Sequence, residues 1–413
     1  MNRRELLAGV GATVALAGNA SAQNATEVVI GAIYPMSGSS AQVGADARLA
    51  FDAALEIING AHDLDLPTAK SAGLAGLGGA KVRVVMADHQ ADPQKGRAEA
   101  ERLITQEKAV AVIGAFHSSV SATASASCER YGVPYLAADS SSPTLQTRGL
   151  KFFFRPAAHD IMFSDAMFDF LDAQKKAGQK IETLALFHED TIFGTDSANA
   201  QAKLAQTRGY KVVADIKYRA NSSSLTSEIQ QLKSADADVV MPSSYTTDAI
   251  LMVKTMAEFG YKPKNMLAQA AGFSEKTTFD TVGDKLNGMI SRASFSVDLA
   301  AKRKSVAFAN DLFKAKANKD LNDNSARQLM GLLVLADAVD RAKSVDGQKI
   351  RDALAATDIP GERTIMPWAR VRFDQTGQNP DATPVLIQYV GGKFVTVFPA
   401  EAAVAKPIWP MNA

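Results

Sequence analysis

The sequence predicts an α/β protein that contains two similar modules in tandem, and three observations lead to this prediction. Short apolar runs alternate with helix-like stretches from Val28 onward, which is typical of βαβ units around a parallel sheet. The same alternation begins again near Thr183. The chain has 413 residues, of which 46% are hydrophobic and 22% charged, so it is globular and long enough for two domains.

The first module is predicted over residues 26–149, and its helices have recognisable ends. Gly60 and Gly132 stand where glycine terminates helices, and Asp92-Pro93 is an N-cap followed by a first-turn proline. The predicted strands are Val28–Ile33, Val82–Ala87, Val110–Gly114 and Val133–Ala137, and the predicted helices are Ala45–Asn59, Asp92–Gln106 and Ser119–Tyr131.

The second module is predicted over residues 150–270, with Gly209 and Gly260 at its C-caps. Its strands are Thr183–Phe187, Lys211–Tyr218, Asp238–Pro242 and Met266–Gln269, and its helices are Thr195–Arg208, Leu225–Ala235 and Thr247–Phe259. The remaining predicted elements are the helices Lys304–Ala317, Ser325–Ala342 and Gly347–Ala356, a strand over Arg370–Phe373, and a hairpin of Val385–Val390 and Lys393–Pro399. Gly391-Gly392 is a strong turn signal between the two strands of this hairpin.

The first 22 residues have the pattern of an export signal. Arg3 and Arg4 precede the apolar segment Leu6–Ala17, and Ala20-Ser21-Ala22 is a small-residue cleavage site. The same arginines also fit a twin-arginine pattern, so the sequence leaves both export routes open. We therefore expect a soluble periplasmic protein after the signal is removed.

Charge and cysteine content exclude several classes of protein. Lys plus Arg total 45 and Asp plus Glu total 44, which argues against a nucleic-acid partner. Cys128 is the single cysteine, so no internal disulfide is possible, and we expect a buried structural thiol.

Three serine-rich loops follow predicted strands of the first module. They are Ser37–Ser40, Ser118-Ser119 and Ser140–Ser142. Parallel strands place their carboxyl ends at one edge of a sheet, so the loops should converge there. Hydroxyls and helix N-termini bind small polar or anionic ligands, although serine is also a common N-cap. The pattern predicts a binding site.

No motif in the sequence predicts catalysis, a metal or a cofactor. The five histidines are scattered without metal-ligand spacing. His117 and His188 both follow predicted strands, and we interpret them as polar residues of a cleft wall. An α/β enzyme that uses one of these histidines remains a third hypothesis.

The segment Val29–Asn59 resembles the opening of the periplasmic substrate-binding proteins of ABC transporters. The branch is the type I fold that includes leucine/isoleucine/valine-binding and amide-binding proteins. Further matches in order along almost the whole mature chain are Asp92-Pro93, Val112–Gly114 with His117–Ser119, Thr147–Gly149 with Phe154-Arg155, His188–Gly194, Phe373-Asp374 and Gly377–Asn379.

This resemblance implies two Rossmann-like lobes that are joined by three crossovers, with a ligand cleft between them. Lobe one would comprise residues 26–149 and 285–365, and lobe two residues 150–275 and 370–400. The crossovers would then lie near Arg148–Pro156, Phe273–Leu286 and Met366–Phe373.

The resemblance also implies roles for site residues. Ser118 stands where relatives hold a ligand carboxylate, with Ser140 and Ser141 on the next loop. Phe193 replaces a tyrosine that many relatives have, and the loop from Gln269 to Gly272 lacks the acid that pairs with a ligand ammonium. The full predicted set of ligand-binding residues is Ser37, Ser40, Gln42, His117, Ser118, Ser119, Ser140, Ser141, Glu189, Phe193, Tyr245 and Gln269.

These departures leave two alternatives for the ligand. Glu189, Asp190 or Asp139 supplies the missing counter-charge, or the ligand carries no ammonium, as in an amide, a urea or an organic acid. Tyr245 is either the aromatic ligand contact of lobe two or a residue that packs the lobes together.

The predicted function is the exported solute-binding component of an ABC importer. It would capture a small polar solute, close its lobes around it as a monomer, and deliver it to a permease in the inner membrane. A ligand-sensing regulator on the same fold, without transport, is the alternative.

Overall fold

The computed structural model describes residues 26–411, which form two α/β lobes. The predicted export signal at residues 1–22 lies outside the described residues. Lobe one contains a parallel sheet of five strands in the order β2-β1-β3-β4-β5. Its elements are β1 (Glu27–Tyr34), α1 (Ala41–Asn59), β2 (Lys81–Asp88), α2 (Pro93–Thr105), β3 (Ala111–Gly114), α3 (Ser118–Tyr131), β4 (Tyr135–Ala137) and β5 (Phe153–Phe154).

The register of this sheet places the serine-rich loops at one edge. Strand β1 pairs in parallel with β2 and β3, and β3 pairs in parallel with β4. The segments that follow β1, β3 and β4 therefore leave the sheet on the same side. The helix boundaries follow the sequence signals, because Asp92 accepts hydrogen bonds from the N–H groups of Gln94 and Lys95 and Gly132 ends α3 with a φ of 64°.

Lobe two contains a second sheet, in the order β7-β6-β8 and β9-β10-β13-β14. A parallel bridge between Val240 and Met266 joins its two parts. The elements up to the return to lobe one are α4 (Asp160–Lys176), β6 (Thr183–Glu189), α5 (Ile192–Arg208), β7 (Lys211–Tyr218), α6 (Thr226–Ala235), β8 (Val239–Ser243), α7 (Thr246–Glu258), β9 (Leu267–Ala268), α8 (Lys276–Val282) and β10 (Ile290–Ala293).

The C-terminal part of the chain contributes to both lobes. Helix α10 packs on α1, and Leu329, Leu332 and Val339 are fully buried in the lobe-one core. The hairpin completes the sheet of lobe two. These elements are α9 (Lys304–Ala317), α10 (Asp323–Ala342), α11 (Gly347–Ala355), β11 (Asp358–Pro360), β12 (Arg370–Arg372), β13 (Val385–Val390) and β14 (Lys393–Phe398).

Strand β10 corrects the predicted position of the second crossover. It pairs with β9 and β13, so the chain stays in the second sheet up to Ala293, and residues 285–293 do not belong to lobe one. The prediction missed this strand because Ser291 and Arg292 interrupt its apolar pattern, and both side chains are buried. The crossover therefore follows Ala293 and does not lie within Phe273–Leu286.

The limits of the other two crossovers also move. Strand β5 pairs with β4, so Phe153 and Phe154 belong to the first sheet and lobe two does not begin at residue 150. Strand β12 pairs with β11, and Val371 and Phe373 pack into the lobe-one core. The third crossover therefore follows Phe373. The prediction missed the short strands β5 and β11, which carry too few alternating positions to be located from the sequence, whereas β12 lies within the predicted strand Arg370–Phe373. The other limits of the two lobes stay predictions.

Candidate functional site

The carboxyl edges of the two sheets face each other across a closed cleft. Ser39 Oγ of lobe one donates to Asn221 Oδ1 of lobe two at 3.4 Å. The ring centroids of His117 and Tyr245, one from each lobe, are 4.5 Å apart. Polar and aromatic contacts therefore join the lobes directly at the site that the sequence predicts.

A cavity with about 70 Å³ of free space lies between these edges. Its walls come from both lobes, and most of the side chains that line it are polar. Lobe one contributes Ser40, His117 and Ser119, and lobe two contributes Glu189, Asn221 and Asp248, among others.

Tyr245 lies at the centre of an aromatic cluster that spans the cleft. Its ring centroid is 5.1 Å from that of Phe116 in lobe one and 5.1 Å from that of Phe193 in lobe two. Burial, and then the nearby Glu189 carboxyl, raise the pKa of the Tyr245 phenol well above its ordinary value, while a main-chain contact with Ser118 acts in the opposite direction. Tyr245 both lines the cavity and packs against the opposite lobe, so the two alternatives for this residue are compatible.

His117 is a neutral, polar wall of the cavity. Burial, and then the neighbouring His89 ring, hold the pKa of His117 well below its ordinary value. Its Nε2 lies 3.5 Å from Ser40 Oγ, and its Nδ1 is buried without a hydrogen-bond partner among residues 26–411. A neutral imidazole with a free ring nitrogen can donate a hydrogen bond to a ligand or accept one from it, depending on the tautomer.

Glu189 and Asp248 form an acidic wall on the lobe-two side. Glu189 accepts hydrogen bonds from Thr191 Oγ1 at 2.7 Å and from the Tyr245 backbone N–H at 3.0 Å. Burial raises the pKa of Glu189 to about 8, and the like charges of Asp248 and Asp190 act in the same direction.

The second carboxyl of this wall, on Asp248, is only partly satisfied. Its Oδ2 accepts from the Asn221 N–H at 2.9 Å, and its Oδ1 is buried without a partner in the described part of the chain. Burial also raises the pKa of Asp248. Two buried carboxyls that lack a cation favour a positively charged group of a ligand beside them.

Gly194 allows the close approach of the helix that follows Glu189. A Cβ at this position would lie 2.3 Å from the Glu189 carbonyl oxygen and 2.8 Å from its Cγ. The first turn of α5 could not pack against Glu189 with any larger residue here, so this glycine of the His188–Gly194 motif shapes the acidic wall.

The serine loops divide between the site and the fold. Ser118 is buried at the start of α3 and lines neither of the cavities described here, and its Oγ accepts from the Ser142 N–H at 3.4 Å. Ser140 is satisfied internally, because its Oγ lies 2.6 Å from Ser121 Oγ. Ser37 is exposed and donates to Asp88 at 2.6 Å.

Two predicted amides also have other partners. Gln42 is exposed and donates to Asp46 at 2.8 Å, one turn along α1. Gln269 is buried and donates to Asp160 at 3.0 Å, next to Gln201. The structure therefore brings together Ser40, His117, Ser119, Glu189 and Tyr245 at one cavity, while Ser37, Gln42, Ser140 and Gln269 make contacts elsewhere.

Asn221 and Asp248 are cavity residues that the sequence prediction missed. Asn221 lies in the loop after β7, and Asp248 lies in the first turn of α7, after β8. Both follow carboxyl ends of lobe-two strands. The argument that located the serine loops of lobe one would have found them had it been applied to polar residues of lobe two.

A second, much smaller cavity lies between the lobes, lined by buried residues and with about 10 Å³ of free space. Tyr245 lines both cavities and separates them. Ser141 and Phe193 of the predicted set line this inner cavity. Two buried arginines that the sequence prediction did not include, Arg292 and Arg327, complete its wall.

Two lobes that close on a polar cavity define a solute-binding protein of the two-lobed type. The periplasmic binding protein family model matches residues 27–393, and the chain belongs to this family, in its type I fold. The chain is 29% identical to the Leu/Ile/Val-binding protein homolog 7 of Brucella suis biovar 1 over 419 residues, which covers 98% of the chain and 99% of that protein. Homolog 8 of the same organism is also 29% identical, over 416 residues and with the same coverage.

Solved structures share this fold. The leucine-binding protein LivK of Thermotoga maritima superposes with a TM-score of 0.76 at 20% identity, over 89% of this chain and 97% of that one. LivJ of Streptococcus pneumoniae, in complex with isoleucine, superposes with a TM-score of 0.73 at 20% identity and the same coverage. The predicted family and fold class are thus confirmed.

Within residues 26–411, no set of three or more His, Cys, Asp or Glu side chains is grouped so that it could hold a metal ion. Nor does any helix in the same range combine the length and apolarity that are needed to cross a membrane.

Proposed function

We propose that this protein is the exported solute-binding component of an ABC importer, and that it captures a small amino-acid-like solute between its lobes. One observation carries the proposal: polar side chains of both lobes, from Ser40 and His117 to Glu189 and Asp248, line a single cavity where the lobes close. A solute in this cavity contacts both lobes at once, so its binding stabilises the closed form.

The walls of the cavity suit the two charged ends of an amino acid. The first turn of α3, in which Ser119 lines the cavity and Ser118 is buried, offers hydroxyls and the positive end of the helix to a carboxylate. The buried carboxyls of Glu189 and Asp248 lie across the cleft and suit an ammonium. Glu189 is thus our choice among the counter-charges that the sequence left open.

The names of two similar proteins support this ligand class. LivJ was solved with isoleucine, and the curated relatives are described as Leu/Ile/Val-binding homologues. We propose that the partner is an ABC permease in the inner membrane, that the protein acts in the periplasm as a monomer, and that no chemical step takes place at the site.

Binding of defined solutes tests the proposal. The mature protein is screened by thermal shift with leucine, isoleucine, valine, glutamate, glutamine, acetamide, urea and benzoate, and calorimetry follows for each hit. A solute at a hundred times its Kd adds about 2.7 kcal/mol to the unfolding free energy, which is a measurable shift.

Ser118→Ala links the binding to the site. We expect about ten-fold weaker binding, because a hydrogen bond to a charged ligand group is lost, and little change in stability. Ser234→Ala, on exposed helix α6, is the matched control and should bind as the parent does. Unchanged affinity in Ser118→Ala would remove Ser118 from the site, and no binding across the panel would contradict the proposed function.

A further inference from the structure

We infer that the inner cavity receives a carboxylate of the ligand beside Arg292 and Arg327, so that the preferred solute carries an acidic group besides the one held at Ser118. This inference rests on the proposed function. It is based on the juxtaposition of two buried guanidinium groups, one from each lobe, at the end of the cleft nearest the crossovers.

Arg292 offers an N–H group that no residue uses. It lies in β10, is 2% exposed, and its Nη1 donates to Asp323 Oδ2 at 3.2 Å. Its guanidinium carbon lies 3.7 Å from the ring centroid of Phe163, which covers one face. Its Nε is buried and has no hydrogen-bond partner in the range 26–411. An unpaired buried donor on a cation is costly, and an oxygen of a bound carboxylate would satisfy it.

Arg327 supplies charge and fixes the position of this pair. Its Nη2 donates to the same Asp323 oxygen at 2.7 Å, and its Nη1 donates to the Asp139 carbonyl at 2.8 Å. Two guanidinium groups thus share one carboxylate oxygen. Asp323 begins α10, whose N-terminus adds partial positive charge at the same place.

Asp139 lines the cavity, and Asp160 interacts electrostatically with Arg292. Asp139 accepts from the Phe116 N–H at 3.1 Å and from Gln328 at 2.7 Å. Asp160 accepts from Gln269 at 3.0 Å through Oδ1, while its Oδ2 is buried without a hydrogen-bond partner within residues 26–411. Burial raises the pKa of both carboxyls, which disfavours their charged forms, whereas a guanidinium stays charged. A ligand carboxylate therefore meets a net attraction.

Specificity between isosteric ligands follows from this geometry. Both oxygens of a carboxylate can accept hydrogen bonds, so either one can face Arg292 or Arg327. A side-chain amide of the same shape has one oxygen and one N–H₂ group, and it can offer an acceptor to only one of these two cations. An aliphatic side chain leaves Nε unpaired. We therefore expect the protein to prefer an acid to its amide by about ten-fold or more.

The test compares glutamate with glutamine and aspartate with asparagine, beside leucine and isoleucine, by calorimetry at pH 7. The parent protein should bind the better acid about ten-fold more tightly than its amide. Arg292→Gln should reduce this ratio to near one while the amide retains its affinity, since Asp323 keeps Arg327 as its partner. Arg341→Gln, which removes an arginine outside the cleft, should leave the ratio unchanged.

Each outcome decides between the two proposals. Tightest binding of leucine or isoleucine, or an acid-to-amide ratio near one in the parent protein, would overturn this inference and leave the proposed function standing. A preference for the acid that survives in folded Arg292→Gln would also overturn it. If Arg292→Gln does not fold, as judged by circular dichroism, the ratios in the parent protein alone decide. No binding of any member of the panel would overturn both.

Discussion

At the scale of single residues, the burial of Glu189 places its carboxyl in the cavity wall but makes the ionised carboxylate unfavourable. The side chain helps to build the acidic wall of the cavity, and it accepts hydrogen bonds from Thr191 and from the Tyr245 main chain. The same burial raises its pKa to about 8, above an ordinary value of 4.5. The ionised form of this buried carboxyl therefore destabilises the protein, and a cationic group of the proposed ligand beside it would offset that cost.

The stability of the protein should reflect this shift. Between pH 4.5 and 8, folded Glu189 keeps a proton that the unfolded chain releases, so its contribution to the unfolding free energy falls as pH rises. The fall is at most about 1.4 kcal/mol per pH unit for one group. Glu189→Gln removes this titrating group. In urea unfolding, the unfolding free energy of Glu189→Gln minus that of the parent should therefore increase from pH 5 to pH 8.

The comparison with the parent isolates Glu189 from other shifted groups. Burial also raises the pKa of Glu275, to about 7, and lowers those of His89 and His159 to about 4, but these groups are the same in both proteins. Glu258→Gln changes an exposed glutamate near the end of α7 and should follow the parent at every pH. If the curves of unfolding free energy against pH are parallel for Glu189→Gln and the parent, the pKa of Glu189 is not raised by folding.

The sequence located several of the residues that line the cavity, because position along a parallel sheet carries that information. Residues that follow parallel strands meet at one edge, and Ser40, His117, Ser119 and Glu189 all satisfy this rule. The rule does not say where a side chain points. Ser140 forms a hydrogen bond with Ser121, and Gln269 donates one to Asp160, because polar groups that face the core must find partners there. Their use depends on three-dimensional packing that no local pattern encodes.

At the scale of elements, the loop after β4 and helix α5 form a polar contact across the cleft. Asp196, near the start of α5, accepts hydrogen bonds from Ser142 and Thr144 of lobe one. Asp196 does not line either cavity. This contact therefore stabilises the closed form without touching a ligand.

Asp196→Ala should shift the protein toward open forms. Two hydrogen bonds to a charged group are lost only in the closed state, which corresponds to about 1–3 kcal/mol. We expect a larger radius of gyration by small-angle scattering, and weaker binding of the best solute in the panel by faster dissociation, with the order of solute preference unchanged.

The control for this contact is Asp311→Ala, which removes an exposed carboxylate from α9. It should leave both the scattering curve and the dissociation rate as in the parent. A changed order of solute preference in Asp196→Ala would mean that Asp196 contacts the solute, and an unchanged dissociation rate would mean that the contact does not hold the cleft closed.

Long elements with ordinary end signals were predicted well, and the others were not. Strand β7, helix α9 and strand β13 have the predicted bounds. Helix α4 was not predicted, because its N-cap is His159, whose Nδ1 accepts from the Met162 N–H, and histidine is not a usual helix-start signal. Strand β10 was not predicted because Arg292 interrupts its apolar pattern. The buried charge of Arg292 is compensated by Asp323 of the other lobe, which the local sequence does not show.

At the scale of the whole molecule, Arg155 ties the crossovers to the binding loops. Its Nε donates to Gln378 Oε1 at 2.8 Å, which joins the first crossover to the third. Its Nη1 donates to the carbonyls of Ser140 and Ser142 at 3.1 and 2.8 Å. One fully buried guanidinium therefore links the axis of lobe closure to the loop beside the site.

Arg155→Met should destabilise the fold strongly. It leaves the buried carbonyls of Ser140 and Ser142 and the Gln378 side chain without their donor, so we expect a loss of about 3 kcal/mol or more in urea unfolding. Arg130→Met, at an arginine that is 57% exposed and paired with Glu101, should have little effect on stability, because solvent screens an exposed ion pair. Equal effects of the two substitutions would mean that the Arg155 network does not stabilise the crossovers.

The three crossovers also mean that lobe one is not a continuous segment. Helix α10 packs so closely on β3 and β4 that a Cβ on Gly331 would lie 3.1 Å from Ile113 and Leu136. A fragment of residues 26–158 keeps the first sheet but lacks α10, so the sheet face that contains Ile113 and Leu136 would be exposed to water.

We expect the fragment of residues 26–158 to lack a cooperative urea transition and to bind a hydrophobic dye. A chain cleaved at the exposed Gly391-Gly392 turn, which removes no core contact, should stay folded and is the control. A cooperative transition in the fragment would show that the first sheet folds without the returning helices.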